Sequence, residues 1–137
     1  YLIDKKARYW LNKINLDYGH GTGHGVGFFL NVHEGPQAIS KYNDVSLKRG
    51  MILSNEPGYY EKNKFGIRIE NLVYIDLIKN KLCFKNLTFA PIDSDLINYH
   101  LLDDKEKKYL SDYHLQTYLK ISKYLNKKEK VWLKSLI

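Results

Sequence analysis

The sequence is poor in several features that would define a class of protein. It has one cysteine, Cys83, which excludes an internal disulfide and fits a reducing compartment, so we expect a cytoplasmic protein. It has no run of 18 apolar residues that would form a membrane-spanning helix, and no signal-peptide pattern. We therefore expect no membrane partner.

Arginine is also scarce, with three residues among the 22 basic side chains. The formal charge of +7 is carried mainly by lysines, many of which share the last third of the chain with Asp and Glu. Arginine makes the bidentate contacts by which proteins read nucleic-acid bases. The charge pattern therefore favours solvated helix faces, and we expect no nucleic-acid partner.

The patterns that are present run from helical to extended and back to helical. Residues 1–16 fit one helix, and the chain is helical again from Asp103, with Asp103 or Asp104 as N-cap and Glu106 in the first turn. Strand patterns grouped between helices indicate an α+β fold with an antiparallel sheet. The expected apolar stripes are Leu2, Ile3, Tyr9, Trp10, Ile14 and Leu16 in the first helix, and Tyr109, Leu110, Tyr113, Tyr118, Leu119 and Ile121 in the later one.

The middle of the chain predicts several strands. Residues 51–60 indicate an apolar strand that ends at the turn dipeptide Pro57–Gly58. Residues 65–77 alternate and predict one strand, with Arg68 and Glu70 on the face opposite Phe65, Ile67, Ile69 and Val73. The other expectations are a short buried strand or turn at 27–32, a polar connector at 37–50, and a turn at Lys79–Asn80 into a further strand.

The most distinctive stretch is GHGTGHGVG, residues 19–27, which we call the glycine–histidine segment. Its glycines recur at every second residue, so it matches neither the dinucleotide-binding nor the Walker A fingerprint. A helix here would cost about 0.8–1.0 kcal/mol per glycine relative to alanine, which favours an extended segment. The Cα atoms of His20 and His24 then lie about 13 Å apart. We expect at most one of them on a metal ion, and the other on substrate.

Three further side chains complete a candidate site, and each also has a plainer interpretation. His33 fits either a site residue or a surface histidine at a strand end. Glu56, held extended by the proline after it, fits either a ligand or an ordinary turn acid. Glu70 fits either a ligand or a partner of Arg68 on a half-exposed sheet face. Two histidines and two strand glutamates form a nitrogen–oxygen set that suits Mn, Co, Zn or Fe better than Ca or Mg.

Two other histidines are left out of the candidate site. His100 and His114 lie in the helical tail, where we expect both to be solvated on helix faces.

Three ordered motifs, GHGTGHGVGFFLNVHEGP, SNEPGYY and FGIRIENL, resemble the creatinase-like M24 metallopeptidases, and most closely the Xaa-Pro aminopeptidases (aminopeptidase P). The resemblance implies the C-terminal half of a pita-bread fold, an antiparallel curved sheet with flanking helices and a helical C-terminal extension. It divides the chain into residues 1–92, part of the peptidase domain, and residues 93–137, the helical C-terminal region.

The resemblance also implies a role for each site residue. His24, Glu56 and Glu70 match metal ligands, with Glu56 also the proton acceptor and Glu70 bridging two metal ions. His33 and His20 match catalytic histidines that contact the substrate, the first at the tetrahedral intermediate and the second near proline. Arg68 matches an arginine that supports the ligating carboxylates, and Tyr60 matches a pocket residue.

The implied cofactor is a pair of divalent ions, Mn²⁺ first, with Zn²⁺ or Co²⁺ as alternatives. The implied substrate is a peptide with proline in second position, and a homodimer is the implied assembly. Two aspartate ligands of the family lie upstream of this motif set and have no match here. The chain also opens directly in a helical pattern without Met. We therefore expect a fragment whose partner is the missing N-terminal half, and which alone does not bind two metal ions tightly.

An alternative remains from another functional class. The chain would then be a non-catalytic pita-bread module, or the inactive remnant of a split gene, that binds peptide or protein.

Overall fold

The computed structural model describes residues 1–29 and 31–137, and the chain divides into two compact units, Tyr1–Thr88 and Phe89–Ile137. The predicted domain division, 1–92 and 93–137, stays a prediction. The helices are α1 (Leu2–Lys13), α2 (Asp104–Ile121) and α3 (Lys127–Lys134), with 3₁₀ turns at Tyr99–Leu101 and Ser122–Tyr124. The strands are β1 (Gly23–His24), β2 (Ala38–Ile39), β3 (Ile52–Asn55), β4 (Gly58–Glu61), β5 (Phe65–Arg68), β6 (Asn71–Ile78) and β7 (Lys81–Asn86).

The strands of the first unit form three antiparallel ladders. The largest has the order β3-β6-β7, and the pairs β1-β2 and β4-β5 form the other two. β6 and β7 are joined at Lys79–Asn80, where both residues have positive φ angles of 48° and 62°. Such a turn matches the right-handed twist of the strands it joins. The α+β order and the predicted turn are confirmed.

A small core lies beneath the three-stranded ladder. Ile39, Leu53, Val73 and Ile75 are buried together, and Leu47 and Met51 pack against them. Leu53 lies opposite Val73 in the β3–β6 register. Since side chains alternate along a strand, the next residue of β3, Ser54, belongs to the other face, and it too is fully buried. The first unit therefore buries both faces of β3.

The prediction of one strand over residues 65–77 is wrong. β5 pairs only with β4, whereas β6 joins β3 and β7, so the chain changes ladders at Ile69–Glu70. Ile69 donates its N–H to Pro57 O at 3.3 Å, and its side chain is exposed. Alternating sequence could not reveal this break because the period of two continues across it. Phe65 and Ile67 are likewise exposed.

The predicted apolar stripe of α1 is also wrong within the described chain. Leu2, Ile3, Tyr9, Trp10 and Ile14 are exposed, and the buried residues of this helix are Asp4 and Arg8. These two charged side chains form hydrogen bonds with the glycine–histidine segment. An apolar residue at either position could not form them.

Three shorter predictions need correction. In the segment 27–32, Phe28 and Phe29 are exposed and belong to no strand, while Leu30 lies outside the described residues. The connector 37–50 contains the short strand β2. The strand in 51–60 ends at Asn55, before Pro57, and β4 begins at Gly58.

The second unit is built on α2. Asp103 accepts from the Glu106 N–H at 2.8 Å, and the Glu106 carboxylate accepts from the Asp103 N–H at 2.9 Å, so the predicted cap is a full capping box. Its buried residues are Leu110, Tyr113, His114 and Thr117, while Tyr109 and Leu119, expected inside, are exposed. His114, expected to be solvated, is 0% exposed.

In the described ranges, no helix combines the length and the apolar character needed to cross a bilayer.

Candidate active site

The glycine–histidine segment runs extended against β3, as predicted. Gly23 and His24 form β1, and Gly25 makes an isolated bridge to Leu53. A Cβ atom on Gly23 would clash with the carbonyl oxygen of Ser54, and one on Gly25 would clash with that of Glu34. Only glycine permits backbones to approach this closely. The approach brings His24 beside the end of β3, where Glu56 lies.

His24 and Glu56 face each other at a distance that either a proton on the imidazole or a shared metal ion would satisfy. His24 Nε2 lies 3.3 Å from Glu56 Oε1, with 24% and 13% of the two side chains exposed. His24 Nδ1 lies 2.9 Å from the carbonyl oxygen of Gly25, to which it can only donate. In the neutral ring, Nε2 therefore presents a lone pair to a carboxylate that also presents lone pairs. A histidine whose Nδ1–H binds a backbone carbonyl in this way is typical of a metal ligand.

Ser54 fixes the relation between these two residues, and sequence reasoning missed it. Its hydroxyl donates to Glu56 Oε1 at 2.9 Å and accepts from the backbone N–H of His24 at 2.9 Å. The sequence signal that could have identified Ser54 is its spacing. It lies two residues before Glu56, and residues two apart in a strand lie on the same face. Because Ser54 is fully buried, the contact is shielded from solvent.

Arg68 joins the two predicted glutamates. Its Nε lies 3.2 Å from Glu70 Oε2 and 3.9 Å from Glu56 Oε2. A hydrogen bond with Tyr60, and then the charges of Glu70 and Glu56, raise the pKa of Arg68. One permanent cation therefore offsets the repulsion between two carboxylates. The pairing of Arg68 with Glu70 agrees with the plainer interpretation of Glu70 and does not exclude the other.

The remaining predicted residues join the same group from two sides. The ring of His33 lies against that of His24, with 4.0 Å between the centroids. His20 Nδ1 donates to the carbonyl oxygen of Gly21 at 2.7 Å, so its Nε2 accepts from the Tyr60 hydroxyl at 2.8 Å. Tyr60 also lies close enough to Arg68 to raise the pKa of that guanidinium. The seven predicted residues therefore form one linked group, in which Arg68 lies between the two glutamates: His33, His24, Glu56, Arg68, Glu70, Tyr60 and His20.

The donors fit part of a metal site rather than a whole one. Within residues 1–29 and 31–137, no three His, Cys, Asp or Glu side chains are grouped so that they would hold a metal ion. The nitrogen of His24 and the carboxylates of Glu56 and Glu70 are nevertheless donors that suit first-row divalent metals. We conclude that the chemistry fits such ions and that the ligand set is partial.

Comparison with known proteins identifies the family. The family model described as metallopeptidase family M24 matches residues 2–76, and that of the C-terminal region of peptidase M24 matches residues 80–136. The chain belongs to the M24 metallopeptidases. The family resemblance stated from the motifs is thus confirmed.

The relatives of this M24 chain carry a consistent description. It is 49% identical to a probable Xaa-Pro aminopeptidase P of Coprinopsis cinerea, over 98% of this chain and 24% of that protein. It is 48% identical to aminopeptidase P2 of Arabidopsis thaliana, over 91% of this chain and 19% of that protein. The chain therefore spans about a quarter or less of the length of these relatives.

Solved structures give the same result. The X-prolyl aminopeptidase of Caenorhabditis elegans, described as a cytosolic enzyme with a di-nuclear active site, matches with a TM-score of 0.85 and 39% identity. The match covers 98% of this chain and 23% of that one. The prolidase of Pyrococcus furiosus matches 62% of this chain with a TM-score of 0.53 and 37% identity. The predicted fold class, part of a pita-bread fold with antiparallel sheet and helices, is confirmed.

Proposed function

We propose that this chain supplies part of the catalytic domain of an Xaa-Pro aminopeptidase, which hydrolyses the N-terminal residue from peptides with proline in second position. The observation that carries the proposal is the contact between His24 Nε2 and Glu56 Oε1, two lone-pair donors 3.3 Å apart. The names of the relatives, at 49% and 48% identity, supply the reaction class.

The cofactor we propose is a pair of divalent ions, with Mn²⁺ first and Zn²⁺ or Co²⁺ as alternatives. The C. elegans relative is described as di-nuclear, and the available donors here are His24 Nε2 and the carboxylates of Glu56 and Glu70. When bound, such ions polarise a peptide carbonyl as Lewis acids. Further ligands would have to come from outside this chain, since the described residues offer no group of three.

Glu56 is the proton acceptor in this proposal. Its Oε1 accepts from the Ser54 hydroxyl and its Oε2 faces Arg68, so both oxygens are oriented before substrate arrives. A general base must be held within hydrogen-bond reach of the proton it takes. Arg68 lies between the two carboxylates, with its Nε 3.9 Å from Glu56 Oε2 and 3.2 Å from Glu70 Oε2.

His33 and His20 act on the substrate from opposite ends of the group. In this proposal His33, whose ring lies against that of His24, hydrogen-bonds the developing oxyanion. His20 is held by Tyr60 and lines the side that receives proline. Its Nδ1–H is used by the Gly21 carbonyl, so its ring is fixed in one orientation.

The relatives are the basis for the location, the domain division and the partners that we propose. The C. elegans enzyme is cytosolic, and we propose the same location here. We propose that residues 1–92 belong to the peptidase domain and residues 93–137 to its C-terminal region. The partners would be the remainder of the peptidase domain and, by the family resemblance, a second copy in a homodimer.

The test compares the full-length protein with this chain alone. With Mn²⁺ present, we expect the full-length protein to release the first residue from a tripeptide with proline second, and to release less from one with alanine second. The isolated chain should release none until the upstream half is supplied in trans.

Two outcomes would count against the proposal. Release by the isolated chain would contradict the partial ligand set. Binding of the tripeptide by the full-length protein without any release would favour a non-catalytic peptide-binding module instead. Glu70→Ala in the full-length protein should abolish release, whereas His100→Ala, a change on the exposed tail, should leave it unaltered.

A further inference from the structure

The inner face of α1 carries a buried ion pair. Asp4 is 2% exposed and Arg8 is 9% exposed, and they are the buried residues of this helix. Arg8 Nε donates to both carboxylate oxygens of Asp4, at 3.1 and 3.0 Å. Desolvation of such a pair is costly, and apolar residues of similar volume are often as stable. The pair must therefore do something that an apolar pair could not.

The rest of the Arg8 guanidinium leaves the helix and binds the chain around the start of the glycine–histidine segment. Nη1 donates to the carbonyl oxygen of Tyr18 at 2.8 Å and to Asp17 Oδ1 at 2.7 Å. Nη2 donates to the carbonyl oxygen of His20. The guanidinium also lies over the Tyr18 ring, 3.9 Å from its centroid. A planar fork reaches these acceptors at once, which an ammonium group cannot do.

Asp4 binds the same segment two residues after His20, at Thr22. The Thr22 hydroxyl donates to Asp4 Oδ1 at 2.7 Å and accepts from the Tyr18 hydroxyl. The carbonyl oxygen of Thr22 accepts from the backbone N–H of Glu56 at 2.8 Å. Thr22 is fully buried. Asp4 is thus connected to Glu56 through a single residue.

The electrostatics keep this arrangement charged. Burial would raise the pKa of Asp4, but hydrogen bonds from Arg8 and Thr22 outweigh it and hold that pKa below its ordinary value. The hydrogen bonds that Arg8 donates to Asp4 and Asp17 likewise outweigh burial and raise the pKa of Arg8. Both partners stay ionised across the neutral range.

We propose that Asp4 and Arg8 are positioning residues, which set the backbone of the glycine–histidine segment at His20 through Arg8 and the backbone of Glu56 through Asp4 and Thr22. This role rests on the proposed function, because His20 and Glu56 are the substrate-side and metal-side residues of that reaction. The ion pair fixes the spacing between the two sides from a helix that contributes no reacting group.

The kinetic test is a double-mutant cycle in the full-length protein. Arg8→Lys keeps the charge and removes the fork, so we expect kcat/KM for the proline tripeptide to fall by about ten-fold, as for the loss of an outer partner of a ligand. In a His20→Ala background, the same change should cost clearly less than in the wild type, because one of the two groups that the pair positions is gone. Arg49→Lys is the matched control, since Arg49 is an exposed arginine paired with Asp76.

The outcome of the cycle is decisive. Equal losses in both backgrounds would overturn the proposal and leave Arg8 a purely structural residue, as would no loss at all.

A second test needs no activity and no metal. Amide hydrogen exchange at Glu56 and at residues 18–22 should accelerate in Thr22→Val, which removes the hydroxyl with little change of shape. Thr22→Ser, which keeps the hydroxyl, should restore slow exchange. Unchanged exchange in Thr22→Val would overturn the proposal, and this variant serves even where Arg8→Lys does not fold.

The two tests separate this proposal from the proposed function. If the wild-type protein releases no amino acid, the proposed function fails, and the exchange data alone decide whether Asp4 and Arg8 position the segment. If the wild type is active and neither exchange nor the cycle responds, the positioning role fails by itself.

Discussion

His24 in the first unit and His114 in the second make the same first hydrogen bond and differ in the second. His24 Nδ1 donates to the Gly25 carbonyl at 2.9 Å, and His114 Nδ1 donates to the Leu136 carbonyl at 2.7 Å. His114 Nε2 then accepts from the backbone N–H of Ile92 at 3.2 Å. His24 Nε2 instead faces the carboxylate of Glu56 at 3.3 Å.

The difference separates a structural histidine from a candidate ligand. Both nitrogens of His114 are used by the backbone, so the neutral ring is satisfied and ties α2 to two other segments of its unit. The second nitrogen of His24 has a partner that cannot donate, so the arrangement is complete only with a proton on that nitrogen or with a metal ion shared by the two side chains. The degree of burial would instead favour His114 as the functional histidine, because His114 is 0% exposed whereas the side chain of His24 is 24% exposed. The partner of the second nitrogen is therefore the better guide.

The largest expected effect is that of removing His24. In the full-length protein, His24→Ala should lower Mn²⁺ affinity by more than the ~10–100-fold that loss of an outer partner of a metal ligand costs. Release of the N-terminal residue should fall below detection. Calorimetric titration with Mn²⁺ measures the first effect. An affinity equal to that of the wild type would contradict the role of His24 as a metal ligand.

Removing His114 should affect stability and leave metal affinity alone. His114→Ala leaves a cavity and removes the partner of the half-buried backbone groups of Ile92 and Leu136, so the free energy of unfolding should fall by about 2–5 kcal/mol. Denaturant unfolding, with hydrogen exchange of the α2 amides, measures the loss. His100→Ala, on an exposed residue, is the control and should change neither quantity.

A smaller effect is expected from the hydroxyl that connects His24 to Glu56. Ser54→Ala removes the donor to Glu56 Oε1 and the acceptor of the His24 N–H, so metal affinity should fall by about 10-fold. Ser111→Ala, which alters a half-buried serine of α2, should leave the affinity unchanged. An equal response of the two variants in the same Mn²⁺ titration would show that the Ser54 contact is incidental.

The smallest expected effect is on the pH dependence of stability, through Asp4, a carboxylate whose hydrogen-bond partners are all donors. The folded-state pKa of Asp4 lies below its ordinary value of 3.8, because hydrogen bonds from Arg8 and Thr22 outweigh burial. A lowered pKa means that the stability Asp4 contributes is complete above about pH 4 and is lost as the pH falls through the folded-state pKa. Asp4→Asn should flatten this acid part of the stability curve, and Asp76→Asn should not. Parallel curves for the two variants would contradict the assignment.

Short-range patterns predicted their structures well. The capping box of α2 needs only Asp103 and Glu106, three residues apart, and the turn at Lys79–Asn80 needs only two. The extended path of the glycine–histidine segment follows from its alternating glycines. In each case the residues that decide the structure are neighbours along the chain.

Predictions that depended on distant partners were less secure. The strand predicted over residues 65–77 divides because β4 and β3 pair with different parts of it. The stripe expected inside α1 is exposed, since acceptors at Tyr18 and His20 bind Arg8. His114 was expected in solvent because nothing in the sequence indicates that its partner is the N–H of Ile92, 22 residues away.

The order of elements, the motifs and the donor types of the site were determined by the sequence alone, because local geometry and side-chain chemistry do not depend on the rest of the fold. The tertiary structure decided which nitrogen faces which oxygen. His24 meets Glu56 because glycine at 23 lets the backbone lie against the Ser54 carbonyl of β3, and glycine at 25 leaves room for the Glu34 carbonyl. It also decided that a charged pair, Asp4 and Arg8, fills the buried face of α1. Hydrogen bonds between residues far apart in sequence depend on that packing, and no periodicity records it.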